Sequence, residues 1–187
     1  MKKQKRGDAE AGKGKKRQIV KTGDVVAIPL PDGKYAFGLK IGVKTAIYSI
    51  TSDRPDKPPI GHRKFLFATG VYADILSDTS WPKVGKDSIS QSAVEFVSLG
   101  YIRDARAGTY ELYSDFFVGY IKPSNMEQCY GLEPVSAWDS HHIVDRIIAS
   151  LKSERSEWLS DSPWIPFAID LTNSDHMKRI PVAEVLQ

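Results

Sequence analysis

The sequence predicts an α+β fold: a strongly curved antiparallel sheet or small β-barrel followed by a packed C-terminal helix. Three observations predict it. Short runs alternate apolar and polar residues, as in 34–41. Turn signals separate such runs roughly every 8 to 12 residues, the pattern of a sandwich or barrel. The clearest helical periodicity comes late, in 141–159, so strands and helix are segregated along the chain.

The elements follow in order. A Gly-Asp turn at 21–24 opens onto a strand over Val25–Leu30. Pro31, Asp32 and Gly33 then form a turn, because proline pre-sets its φ, aspartate bonds locally and glycine accepts positive φ. The next strand, Lys34–Ile41, sets Tyr35, Phe37, Leu39 and Ile41 on one face, giving a hairpin with one buried face. Gly38 in its middle marks a bulge or a close backbone approach. A third strand is expected over Thr45–Thr51, a loop over Ser52–Gly61, and a strand bent at Gly70 over Phe65–Leu76. Asp78–Ser88 reads as a loop carrying Trp81. Strands then resume at Glu95–Val97, Tyr101–Arg103, Thr109–Ser114 and Phe116–Ile121.

The helical end begins with Ser124 and Glu127, spaced as a capping box, and Gly131 stands where a short helix would stop. Ile143, Ile147, Leu151 and Trp158 then line one stripe of a longer helix with Asp139 or Ser140 as its N-cap. Asp145, Arg146, Lys152, Glu154 and Arg155 are expected on its solvated face. Trp164–Leu171 reads as an edge strand because Pro166 interrupts it.

The 187 residues organise into a basic tail, 1–18, and a single α+β domain over 19–187: β-rich in 19–122, helical in 123–160, with an edge strand and C-terminal segment in 161–187. Residues 1–17 hold eight basic and two acidic groups, a net +6, leaving 18 basic and 21 acidic groups, a net −3, on the rest. The tail has no apolar side chain larger than alanine between Met1 and Ile19, so it cannot fold alone. The body has the length to bury roughly 70% of its unfolded surface. With one cysteine, Cys129, no internal disulfide forms, which favours a reducing compartment. No apolar run approaches the about 18 residues of a membrane span.

Candidate chemistry is sparse. Asp139, His141, His142 and Asp145 are the one cluster of metal-ligand types, yet adjacent residues point about 100° apart on a helix, against a shared ion. Cys129 reads as a small core hydrophobe rather than a nucleophile. Phosphate-loop, dinucleotide, nucleophile-elbow and His-Glu-x-x-His motifs are missing from the sequence. No catalytic, cofactor-binding or metal-ligating residue is therefore expected, and the chain is expected not to be an enzyme.

Residues 23–38, Gly-Asp-Val-Val-Ala-Ile-Pro-Leu-Pro-Asp-Gly-Lys-Tyr-Ala-Phe-Gly, resemble the opening of the immunity protein 26 family of bacterial polymorphic toxin systems. Phe67–Tyr72 with Trp81-Pro82 points the same way, as does Gly131–Pro134 through Trp138-Asp139 into the helix at His141. The resemblance implies a cytoplasmic binding protein that neutralises a cognate protein toxin by direct contact, with no catalytic positions to carry over. Within that reading, Tyr72, Asp74, Asp78 and Trp81 are the expected partner-binding residues, since an acidic, aromatic patch suits a basic target.

Two other readings follow from the residues. A nucleic-acid-binding β-barrel would use the 1–17 tail as a basic arm and Tyr35, Phe37 or Tyr113 for stacking, although an acidic body repels the backbone it must track. A hydrolase would pair His141 or His142 with Asp139 or Asp145 in a pocket.

Overall fold

The computed structural model of the chain describes residues 17–115, 119–159, 167–173, 175–181 and 186. The basic tail, apart from Arg17 and Gln18, lies outside the described residues, as do 116–118 of one expected strand and 164–166 of another.

Four strands form an antiparallel meander: β1 (Asp24–Pro29), β2 (Tyr35–Ile41), β3 (Lys44–Tyr48) and β4 (Lys64–Val71). The β1–β2 turn closes as its residues predict. Leu30 N–H donates to the Lys34 carbonyl at 2.9 Å, the Asp32 carboxylate accepts from Lys34 N–H, and Gly33 sits at φ +83°. β5 (Lys83–Lys86) extends the sheet beyond β1, and β11 (Phe167–Asp170) and β12 (Lys178–Pro181) extend it beyond β4. β10 (Ala137–Trp138) adds a short parallel pairing at the end of β4. A second sheet runs β8-β7-β6-β9, from β6 (Leu99–Asp104), β7 (Thr109–Ser114), β8 (Tyr120–Ser124) and β9 (Glu133–Pro134). The fold is α+β with mostly antiparallel sheets, but among the described residues no barrel closes: β5 and β12 end the larger sheet without pairing to each other.

The larger sheet is buried on both faces, which corrects the expectation of a hairpin with one. Val26, Ile28, Ile47 and Leu66 pack with Ile143 and Ile147 of α3 (Ser140–Leu151) and with Leu76 of α1 (Ala73–Ser77). On the other face Val25, Phe37, Leu39 and Tyr48 pack with Ala93 and Val97 of α2 (Gln91–Ser98). The unbroken apolar run Val25–Ile28 is the sequence trace of this arrangement, since a strand covered on both sides need not alternate. It also removes Phe37, fully buried, from any stacking role.

Local signals decide the other differences. Residues 93–97 are helical, not extended, because the Ser90 hydroxyl accepts from Ala93 N–H at 3.2 Å and caps α2. Residues 83–86 of the expected loop pair with β1, and the expected 65–76 strand stops at Val71 and turns into α1. After Tyr120–Ser124, the short 3-10 turn Glu127–Cys129 is held by Asn125, whose side-chain Oδ1 accepts from Gln128 N–H, rather than by a Ser124–Glu127 box. α3 ends at Leu151, and Ser153 at φ +57° breaks the periodicity before a 3-10 turn at Glu157–Leu159. Arg146 lies on its buried stripe, 2% exposed, not on the solvated face. β11 is interior, between β4 and β12.

Two glycines mark close approaches. A Cβ on Gly38 would meet the Thr45 methyl at 2.7 Å. One on Gly70 would stand 2.5 Å from the Ser136 carbonyl oxygen, a backbone atom that cannot rotate away. Gly70→Ala is therefore expected to push β10 off β4 and cost about 1–3 kcal/mol, read as a lower urea midpoint at unchanged slope. An unshifted midpoint would contradict the close approach.

Candidate functional site

The segment after β4 carries the residues expected to meet a partner. Tyr72 N–H donates to the Trp138 carbonyl at 3.4 Å, which fixes the backbone while the ring stays 49% exposed. Asp74, in the first turn of α1, is exposed. Asp78 is half-buried: its N–H donates to the Asp74 carbonyl at 2.8 Å and its carboxylate accepts from Ser80 N–H. Trp81 is 2% exposed and belongs to the core beside Leu76, so its ring supports this segment from below. Gln18 binds the loop together. Its amide nitrogen donates to the carbonyls of Leu76, Asp78 and Trp81, the last at 2.6 Å, and its amide oxygen accepts from Lys83 N–H. Nothing in the composition of the tail distinguishes Gln18 from its neighbours.

Next to Tyr72 runs the seam between the sheets. Residues 133–138 carry the chain from β9 of the smaller sheet to β10 of the larger. Two open clefts of about 330 and 300 Å³ flank this seam and share Pro134, Val135 and Ser136. The first is lined by Val43, Lys44, Val71 and Asp115, the second by Tyr101, Arg103, Trp138 and Trp158. Val43, Val135 and Trp158 all expose apolar surface here. Lys44 is buried, and its ammonium donates to the Leu99 carbonyl at 2.8 Å. Burial pushes its pKa down to about 8 despite Asp115 and Glu133 nearby, so its charge is lost in mildly alkaline solution.

Under the seam sits a buried ion pair. One guanidinium nitrogen of Arg146 donates to both Glu133 carboxylate oxygens at 2.8 Å. The guanidinium also lies over the Phe67 ring at 4.1 Å and the Trp138 ring at 5.2 Å. It thereby ties α3 to both sheets. A second polar centre holds the 52–63 loop. The Asp87 carboxylate accepts from the Tyr48 hydroxyl and Arg63 at 2.8 Å and from Gly61 N–H at 2.9 Å. Beside it, the Ser49 hydroxyl and His62 Nε2 are 2.9 Å apart, while Ser49 donates to the Lys64 carbonyl at 3.2 Å. Burial, with Lys64 and Arg63, lowers the His62 pKa, which favours the neutral ring.

The histidines of α3 are not splayed apart. Asp139, His141 and His142 bring their ligand-type atoms within 4.8 Å of one another, whereas Asp145 accepts from the Trp158 indole N–H at 3.1 Å. Neither histidine lines the neighbouring cleft. Cys129 is fully buried, and burial raises its thiol pKa, which works against a thiolate nucleophile. No helix among the described residues is long and apolar enough to cross a membrane.

The layering defines an open, mostly antiparallel α+β scaffold with a partly aromatic seam between its sheets. Residues 21–111 match the family model described as Immunity protein 26, so that segment is similar to this family. The match takes in β1 through the first half of β7, with Tyr72, Asp74, Asp78 and Trp81, and ends before Gly131–Asp139. No curated protein and no solved structure matches the chain.

Proposed function

We propose that the protein is an immunity protein that binds a cognate protein toxin and neutralises it by occupying its working surface, in the cytoplasm of the cell that makes both. The family match over residues 21–111 carries this reading. Inhibition by contact requires no catalysis, in keeping with a family that is generally non-enzymatic. The binding face we assign is Tyr72, Asp74 and Asp78 continued across the seam by Val135 and Trp158. It combines exposed aromatic anchors with carboxylates, the mixture that concentrates binding energy and speeds encounter with a basic target.

The test uses the complex formed with the native toxin. Tyr72→Ala combined with Asp74→Lys removes an anchor and reverses a charge at exposed positions, so folding stability should stay within about 0.5 kcal/mol. Toxin affinity should fall by about 2 kcal/mol or more, roughly thirtyfold, by calorimetry. Unchanged affinity in a folded variant would move the interface elsewhere.

A further inference from the structure

The start of α3 gathers ligands that the proposed docking does not use. Helical geometry alone would aim His141 and His142 apart, yet their ring centroids lie 3.8 Å from each other. Asp139 precedes the helix with extended backbone and, although placed as its N-cap, makes no side-chain capping bond. The first turn therefore lets three side chains lean to one point. His142 is also held in place: the Trp158 ring is 4.0 Å away, and the Trp138 ring meets it edge-on at 5.8 Å. Trp158 is in turn fixed by its bond to Asp145.

We propose that Asp139, His141 and His142 bind one divalent ion of the zinc class, with water completing the coordination. Two imidazoles and one carboxylate suit Zn²⁺, Ni²⁺ or Cu²⁺, whereas Mg²⁺ and Ca²⁺ require shells dominated by oxygen. Bonds of about 2.0–2.1 Å set tetrahedral ligand atoms about 3.3 Å apart, so ligands already within 4.8 Å close by small side-chain rotations. Asp139 and His141 are exposed, while His142 is half-buried and the more firmly packed member. The Asp139 carboxylate also offsets the positive end of the helix dipole, which otherwise opposes a cation. The site adjoins the proposed binding face at Trp158 but does not depend on toxin neutralisation, and it is tested without a toxin.

The full-length, tag-free chain is stripped with a chelator and titrated with Zn²⁺ by calorimetry and with Cu²⁺ by indole fluorescence. One saturable site is expected, with Cu²⁺ quenching Trp158 through its contact with His142. His141→Ala and Asp139→Asn, both at exposed positions, should each weaken binding at least about tenfold with an unchanged circular dichroism spectrum. Absence of saturable binding by the wild-type chain, full fluorescence at saturating Cu²⁺, or equal affinity in the folded variants would overturn the assignment.

Discussion

Asp87→Ala is expected to cost about 3 kcal/mol or more of folding stability, a large share of the about 5–15 kcal/mol that holds a domain together. The Asp87 side chain is 2% exposed and accepts bonds from Tyr48, Gly61 and Arg63. Removing it leaves the buried Tyr48 hydroxyl and one edge of the Arg63 guanidinium without their acceptor. The loop 52–63 also loses its tie to β5 and β3. Burial alone would push the Asp87 carboxyl up, but the bonds from Arg63, Gly61 N–H and Tyr48 outweigh it and hold it below the ordinary carboxylate range. The same contact, added to burial, holds the Tyr48 phenol far above its ordinary range. A carboxyl depressed in the folded state contributes stability present above the unfolded value of about 3.9 and lost as pH falls through the folded value. The deficit of Asp87→Ala, measured by urea unfolding at successive pH values, should therefore shrink below about pH 4. A deficit under about 1 kcal/mol at neutral pH would show that the network is ornamental.

Glu133→Ala is expected to cost about 3–5 kcal/mol, because it strands the Arg146 guanidinium, 2% exposed, without a counter-ion. The paired replacement Glu133→Leu with Arg146→Met should recover most of that loss, since an apolar pair of similar volume avoids desolvating two charges. Urea unfolding of the single and double variants forms the cycle. Equal stabilities for Glu133→Ala and wild type would mean that the pair holds nothing, and the seam above it would lose its physical support.

Legibility in the sequence followed how local each signal was. The Pro31–Gly33 turn, the strands on either side of it and the Thr109–Ser114 strand all rest on neighbouring residues, and each lies where its own chemistry puts it. Gly38 is readable as a place without room for a side chain, but what crowds it is the Thr45 methyl, neither a bulge nor a neighbouring backbone. The second buried face was harder, since Ala36 and Gly38 are small and neutral and say little about which side is covered. α2 was missed because its apolar residues, Ala93, Val94, Phe96 and Val97, fit a strand as well as a helix, and only the Ser90 cap decides between them. Arg146 marks a further limit: at helical spacing it falls beside Ile143 and Ile147, but its partner Glu133 comes from another sheet. Pairings such as Arg146–Glu133, Asp87–Arg63 and Gln18 with the Trp81 loop are set by tertiary approach alone. The convergence of His141 and His142 depends on the first turn of α3, where the simple angular rule for adjacent residues no longer governs side-chain tips.

Neutralisation of a toxin by stoichiometric contact, as proposed, fixes how much of the protein silences a given amount of toxin. The most direct measurement titrates the purified protein against a fixed amount of the active native toxin and follows toxin activity at each ratio after short and long incubation. Binding predicts a break at a fixed molar ratio that does not move with time, together with a complex of matching stoichiometry on size-exclusion chromatography. Toxin activity that survives excess protein, or that continues to disappear with time at sub-stoichiometric ratios, would contradict it.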